Sequence, residues 1–171
     1  MNYVLTGNSR VDFTAYAPMH TFRGWAAQGL QGKMEINFDT LVLEHVQVTL
    51  DTRYLDTGDG DKNKAMVDFF HLDKNPEAGF VMTECREFCR QANGGYRVTV
   101  LGILDFAGIR RQLPITCTVA RKEDKIIMHL QFKWSFRAYG LKPPRLLFMT
   151  VRDIVDIKAG LVFIQDNTSE E

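Results

Sequence analysis

The segment from Ile126 to Arg137 alternates without a break. Ile126, Met128, Leu130, Phe132, Trp134 and Phe136 fall on one face of an extended chain. Ile127, His129, Gln131, Lys133, Ser135 and Arg137 fall on the other. Successive side chains of a strand point to opposite faces, so this pattern specifies a β-strand with one apolar and one mostly polar face. Such a strand belongs to an antiparallel sheet covered on one side. Looser versions recur at Val11, Phe13 and Ala15; at Met34, Ile36 and Phe38; and at Val46, Val48 and Leu50. Others are Tyr96, Val98 and Val100; Leu113, Ile115, Cys117 and Val119; and Val155, Ile157, Ala159, Leu161 and Phe163. With the segment from Phe80 to Phe88 this makes about eight strands.

Turn residues separate most of them: Gly29, Gly32, Asn93-Gly94-Gly95, Gly108 and Lys122–Asp124. Asn93-Gly94-Gly95 is the strongest hairpin signal, because Asn and Gly accept positive φ at little cost. Residues 59–71 are the best helical candidate, at one or two turns, and Asp56–Asp61 is a turn leading into its N-cap. Pro143 and Pro144 keep residues 141–148 out of any central strand, since proline has no ladder donor. Eight antiparallel strands leave open edges unless they close, so an up-and-down barrel or a two-sheet sandwich is expected. One domain over residues 1–165 with a polar, fraying tail at 166–171 is the expected organisation.

The chain has 171 residues, 21 Lys+Arg and 21 Asp+Glu. A zero net charge argues against a general nucleic-acid binder, which needs a cationic surplus. No stretch approaches the roughly 20 apolar residues of a membrane helix. The N-terminus shows no basic start, apolar run or small-residue cleavage site, so a cytoplasmic location is expected. Three cysteines suit a reducing compartment. Cys85 and Cys89 lie four strand steps apart, about 13 Å, whereas a disulfide needs Cα atoms within about 7 Å.

The order of short motifs resembles the YceI-like family of lipid- or polyisoprenoid-binding, lipocalin-like proteins. Ser9-Arg10-Val11-Asp12-Phe13 is similar to its opening S-x-V-x-F strand. Leu55-Asp56-Thr57-Gly58, then Asp68-Phe69-Phe70, Pro76 and Phe80, resemble its next stretch. Gly102–Gly108 with Leu113-Pro114-Ile115, Tyr139-Gly140-Leu141, and Arg152-Asp153 through Ala159 complete the resemblance over residues 9–163. The chain departs from the family pattern in four places. Tyr54 stands for a serine, Phe136 and Ala138 replace an Arg-Asp turn pair, residues 60–66 lack a common histidine, and the secretion signal of many relatives is missing. The resemblance implies an eight-stranded antiparallel lipocalin-like barrel, with the short helix between residues 59 and 71. It also implies a long apolar pocket, no catalytic residue, no cofactor and no required metal.

On that basis the expected function is non-enzymatic binding or carriage of an isoprenoid, fatty acyl or similar chain. The expected wall is Phe13, Val48, Phe80, Met82, Val98, Met128, Phe132, Trp134, Leu161 and Phe163. On its own such a stripe is more often plain core than cavity wall, and the resemblance reverses that balance for part of it. Met suits flexible apolar ligands, and a chain burying on the order of 500 Å² gains roughly 12 kcal/mol before association costs. A pyrophosphate or carboxylate headgroup would need donors at the barrel mouth, and the candidates are Arg110, Arg111, Lys142 and Arg145. Two alternatives stay open. In one the barrel is filled and Leu146-Leu147-Phe148 is an apolar interaction patch. In the other an enzyme uses an unmarked site at the mouth, although G-x-S-x-G, Walker and dinucleotide motifs are absent. His20, His45, His71 and His129 show no zinc-ligand spacing. A homodimer is possible on base rate alone.

Overall fold

The alternating segments close on themselves. In chain order the strands are β1 (Asn2–Leu5), β2 (Arg10–Ala17), β3 (His20–Ala26), β4 (Leu30–Asn37), β5 (Val42–Asp51), β6 (Glu77–Arg90), β7 (Tyr96–Phe106), β8 (Ile109–Lys122), β9 (Lys125–Ser135), β10 (Arg145–Leu146), β11 (Met149–Thr150) and β12 (Ile154–Gln165), with helix α1 (Gly60–Phe70) between β5 and β6. This is a computed structural model, and it describes residues 1–146 and 148–167. Going round the ring, β1, β4, β5, β6, β7, β8, β9 and β12 pair in that order, and β12 pairs back onto β1. The result is a closed eight-stranded antiparallel β-barrel with one short helix.

Strand β12 determines how the ring closes. One edge pairs with β9 from Ile154 to Ile164. The other edge pairs with β2 over Val155–Gly160 and with β1 over Phe163–Gln165. Strands β1 and β2 therefore lie end to end along it. The break between them is stitched by Ser9, buried, whose Oγ accepts the Val162 backbone N–H at 3.0 Å. Thr6 N–H donates to the Val162 carbonyl at 2.8 Å. That gives the opening serine of the family motif a structural job.

The β2–β3 hairpin extends beyond the ring. The outer edge of β3 meets one isolated bridge, Trp25 with Asp56, held by two backbone hydrogen bonds of 2.8 Å. Sequence alternation missed β1 and β3. Strand β1 is only four residues long. In β3, Phe22 and Trp25 sit on opposite parities with Gly24 between them, so no stripe forms.

Turn chemistry follows the residues. Gly94 has φ 86° in the β6–β7 hairpin, and Asn93 Oδ1 accepts the Gly95 N–H at 2.9 Å. Ala107 and Gly108, at φ 55° and 76°, supply two left-handed residues in succession for the β7–β8 turn. Residues 145–146 and 149–150 pair only with each other, outside the barrel, as the two prolines require. Helix α1 runs eleven residues, longer than the one or two turns expected.

One half of the barrel is solidly packed. Phe163 is fully buried (0%), with Met34, Val98, Val119, Ile126 and Met128 beside it. Phe38, Phe88 and Tyr96 seal that end with ring centroids 4.8 to 6.1 Å apart, and the Arg121 guanidinium lies 4.5 Å from the Phe38 centroid. A fully buried Phe stabilises by roughly 1.5–3 kcal/mol.

Candidate functional site: an apolar barrel cavity

The other half is hollow. A cavity of about 700 Å³ lies inside it. On β9 the lining residues are Leu130, Phe132 and Trp134. On β12 they are Val155, Ile157, Ala159 and Leu161. These are the inward-facing parities of the two strands, paired Leu130 with Ala159, Phe132 with Ile157 and Trp134 with Val155. From β2 come Val11, Phe13 and Ala15, and from β6 Ala78, Gly79 and Phe80. Small residues on facing strands leave the space unfilled. Two glycines widen it further. The Phe13 ring edge lies over Gly24, and the Phe80 ring edge over Gly102, where a Cβ would overlap it. Without those glycines both rings would be pushed off the wall.

Helix α1 covers the cavity. Lys62, Ala65, Met66, Phe69 and Phe70 recur at helical spacing and all line it. No residue of the helix is buried, since its apolar face looks onto empty space. Its start is well held. Asp59 caps it, accepting the N–H groups of Asp61 and Lys62 at 2.9 and 3.2 Å. The Asp56 carboxylate accepts the Asn63 amide at 3.0 Å and the Gly58 N–H at 2.8 Å. These bonds, that from Asn63 foremost, hold the Asp56 carboxyl below its usual range. The Thr57 hydroxyl donates to Asn63 Oδ1 at 2.6 Å. The Leu55–Gly58 motif thus ties the helix to the edge of β3.

Aromatic rings join the far end of the helix to the barrel. Phe70 stacks on Phe136, with centroids 5.9 Å apart and planes 4° off parallel, and meets Phe106 at 4.9 Å. Trp134 sits among them, and its buried indole N–H makes no hydrogen bond of good geometry with any of the described residues. The Tyr139 phenol donates to the Leu104 carbonyl at 3.0 Å, and burial pushes its pKa up to about 12. The turn that lacks the family's Arg-Asp pair is held by other means. Asp153 accepts the Ser135 hydroxyl at 2.6 Å and the Arg137 N–H at 2.8 Å.

Of the ten expected wall residues, Phe13, Val48, Phe80, Phe132, Trp134 and Leu161 line the cavity. Val98, Met128 and Phe163 lie in the packed half, and Met82 packs against it. None of the four expected headgroup donors lines the cavity. Arg111 Nε donates to the Ala138 carbonyl at 2.8 Å, and Arg145 to the Phe148 carbonyl at 3.4 Å. Arg110 and Lys142 are exposed. Among the described residues the cations that line it are Lys62 and Arg23, with no carboxylate beside them in the lining. The Lys62 amine lies 5.5 Å from the Phe22 ring centroid. The helical lining was missed, although the spacing 62, 65, 66, 69, 70 was there to be read.

Of the expected apolar patch, Leu146 lines the cavity, Leu147 lies outside the described residues, and Phe148 is 95% exposed. Cys85, Cys89 and Cys117 are free thiols. Burial pushes Cys117 up to about 12. Glu35, Glu44 and His45 come together on the outside of the barrel, with Glu44 and His45 exposed. No helix among the described residues is long and apolar enough to cross a membrane.

Residues 3–163 match the model of the YceI-like domain. The chain belongs to the YceI-like family. Solved structures share the fold at low identity. BcnA of Burkholderia cenocepacia is 21% identical, with a TM-score of 0.73 over 90% of this chain and 95% of that one. A polyisoprenoid-binding domain from Saccharophagus degradans, implicated in plant cell wall breakdown, is 17% identical, with a TM-score of 0.77 over 96% and 98%. The YCEI protein of Campylobacter jejuni is 16% identical, with a TM-score of 0.56 over 77% and 80%. No match to this chain is found among curated proteins.

Proposed function

We propose that this YceI-like protein is a non-enzymatic carrier that holds one isoprenoid or fatty acyl chain in the barrel. The observation that carries this reading is the cavity of about 700 Å³, walled mostly by apolar residues, with Lys62, Arg23 and a few threonines as its polar groups. Ligand sites of roughly 300–1,000 Å³ with few polar groups are the usual form for small apolar molecules. An unfilled apolar space forfeits contact energy that a ligand would restore. The shared fold of the Saccharophagus degradans polyisoprenoid-binding domain points the same way. A filled barrel serving only as an interaction module fits the packed half and not the hollow one.

Native mass spectrometry of freshly purified protein, with its organic extract analysed alongside, tests the reading. A co-purifying lipid at one per chain is the expected result. An apo mass that stays unchanged on addition of prenyl and acyl compounds would overturn it.

A further inference from the structure

The cavity is blind at one end. On β9 the lining stops at Leu130, and the next inward residue, Met128, is buried in the packed core. On β12 it stops at Leu161, followed inward by the fully buried Phe163. Leu130 pairs with Ala159 and Met128 with Leu161, so the lining on β12 reaches one inward layer deeper than on β9 and ends against Met128 and Phe163. The lining residues that are exposed to solvent, Thr21, Arg23 and Ala65, lie on β3 and α1. That is where the outer edge of β3 has a single bridge. Among the described residues the cavity thus has a floor at Met128 and Phe163 and its solvent-exposed lining at β3 and α1.

Resting on the lipid-carrier reading, we infer that the floor makes this cavity a length gauge for one apolar chain. At about 30 Å³ per packed non-hydrogen atom, the share of a water molecule in the liquid, the 700 Å³ holds on the order of 23 atoms. That is a diterpenoid or a long single acyl chain. A second chain has no room. A polyprenyl chain of twice that length leaves its excess in water, where it gains nothing. The residues that set the limit are Met128 and Phe163 below the cavity and Ala159 just above the floor. Ala159 pairs with Leu130 in the layer next to Leu161, and its small side chain leaves that layer open.

The test is a series from dodecanoic to triacontanoic acid, with farnesol, geranylgeraniol and solanesol, competed against a fluorescent fatty acid on delipidated protein. Affinity is expected to rise about threefold to fourfold per added methylene. It then stops rising once the chain reaches roughly 20–25 non-hydrogen atoms, the count set by volume. Ala159→Phe adds six ring atoms to the floor and is expected to move the break down by about six chain atoms. Met128→Ala removes three and is expected to move it up by about three. Opposite shifts cannot come from general destabilisation, and the series on the unsubstituted protein stands without either variant. Affinity that climbs unbroken to the longest chains would overturn the gauge and leave the carrier reading intact. Absence of binding at every length would overturn both.

Discussion

The two halves of this barrel are built from the same strands and differ in what faces what. In the packed half Phe163, Met34, Met128, Phe38 and Tyr96 reach across and touch. In the hollow half Ala15, Ala78 and Ala159 face the centre, and Gly24 and Gly102 leave room for the Phe13 and Phe80 rings against the wall. Strand β9 runs through both, with Ile126 and Met128 in the core and Leu130, Phe132 and Trp134 on the cavity. Polarity decides which side of a strand faces in. Summed side-chain volume across facing strands decides whether the inside is full. Protein interiors pack close to crystal density, so a void of this size is a departure that packing alone does not produce.

The difference predicts unequal stability losses for like substitutions. Phe163→Ala empties a filled site and is expected to cost about 3–5 kcal/mol. Phe132→Ala removes a half-buried ring that already borders empty space, and about 1–1.5 kcal/mol is expected. Urea unfolding midpoints measure both, and equal losses would break the comparison. The next effect is smaller and bears on the cavity. Gly102→Ala places a methyl against both the Phe80 ring and the Val81 carbonyl oxygen, so ring and strand must both shift and about 1–3 kcal/mol of strain is expected. It should come with weaker uptake of a fluorescent fatty acid as the ring swings inward. Unchanged uptake would mean that Phe80 does not limit the width.

How much of this was legible beforehand follows from the same contrast. Alternation from Ile126 to Phe136 gives the strand, its inward face and, with the other runs, a barrel or a two-sheet sandwich, between which the family resemblance chooses the barrel. It could not separate Met128 from Phe132, because both have the same polarity and parity. Their fates depend on residues far away in sequence, such as Val119 beside one and Ile157 beside the other. Helix α1 was placed correctly, yet its role as a cover was not read. A scan for period two passes over a stripe at 62, 65, 66, 69 and 70. The expected headgroup donors were chosen for their position in loops, and Arg111 turned out to be engaged by the Ala138 carbonyl.

The smallest expected effect lies in the packed half and depends on pH. Burial raises Cys117 from 9.0 to about 12. The folded state thus keeps a proton that the unfolded chain releases at lower pH. The stability this contributes is complete below about pH 9, the unfolded thiol's range. It is lost as pH rises towards 12. Thermal midpoints should fall along that limb, and Cys117→Val should flatten part of the fall. At pH 8, thiol reagents should modify the half-buried Cys85 and Cys89 and spare Cys117. Equally fast modification of Cys117 would show that the packed half opens to solvent.

The central claim is that the hollow half, and no other part, receives an apolar chain. Trp134 lines the cavity, and Trp25 is the other tryptophan. In the Trp25→Phe variant, Trp134 is the sole indole reporter. Titration with a dibrominated stearate, whose heavy atoms quench only on close approach, reads occupancy directly. Saturable quenching of Trp134 that is complete at one equivalent is the predicted result. Uptake of the stearate with Trp134 emission unchanged, or no saturable uptake, would contradict the account.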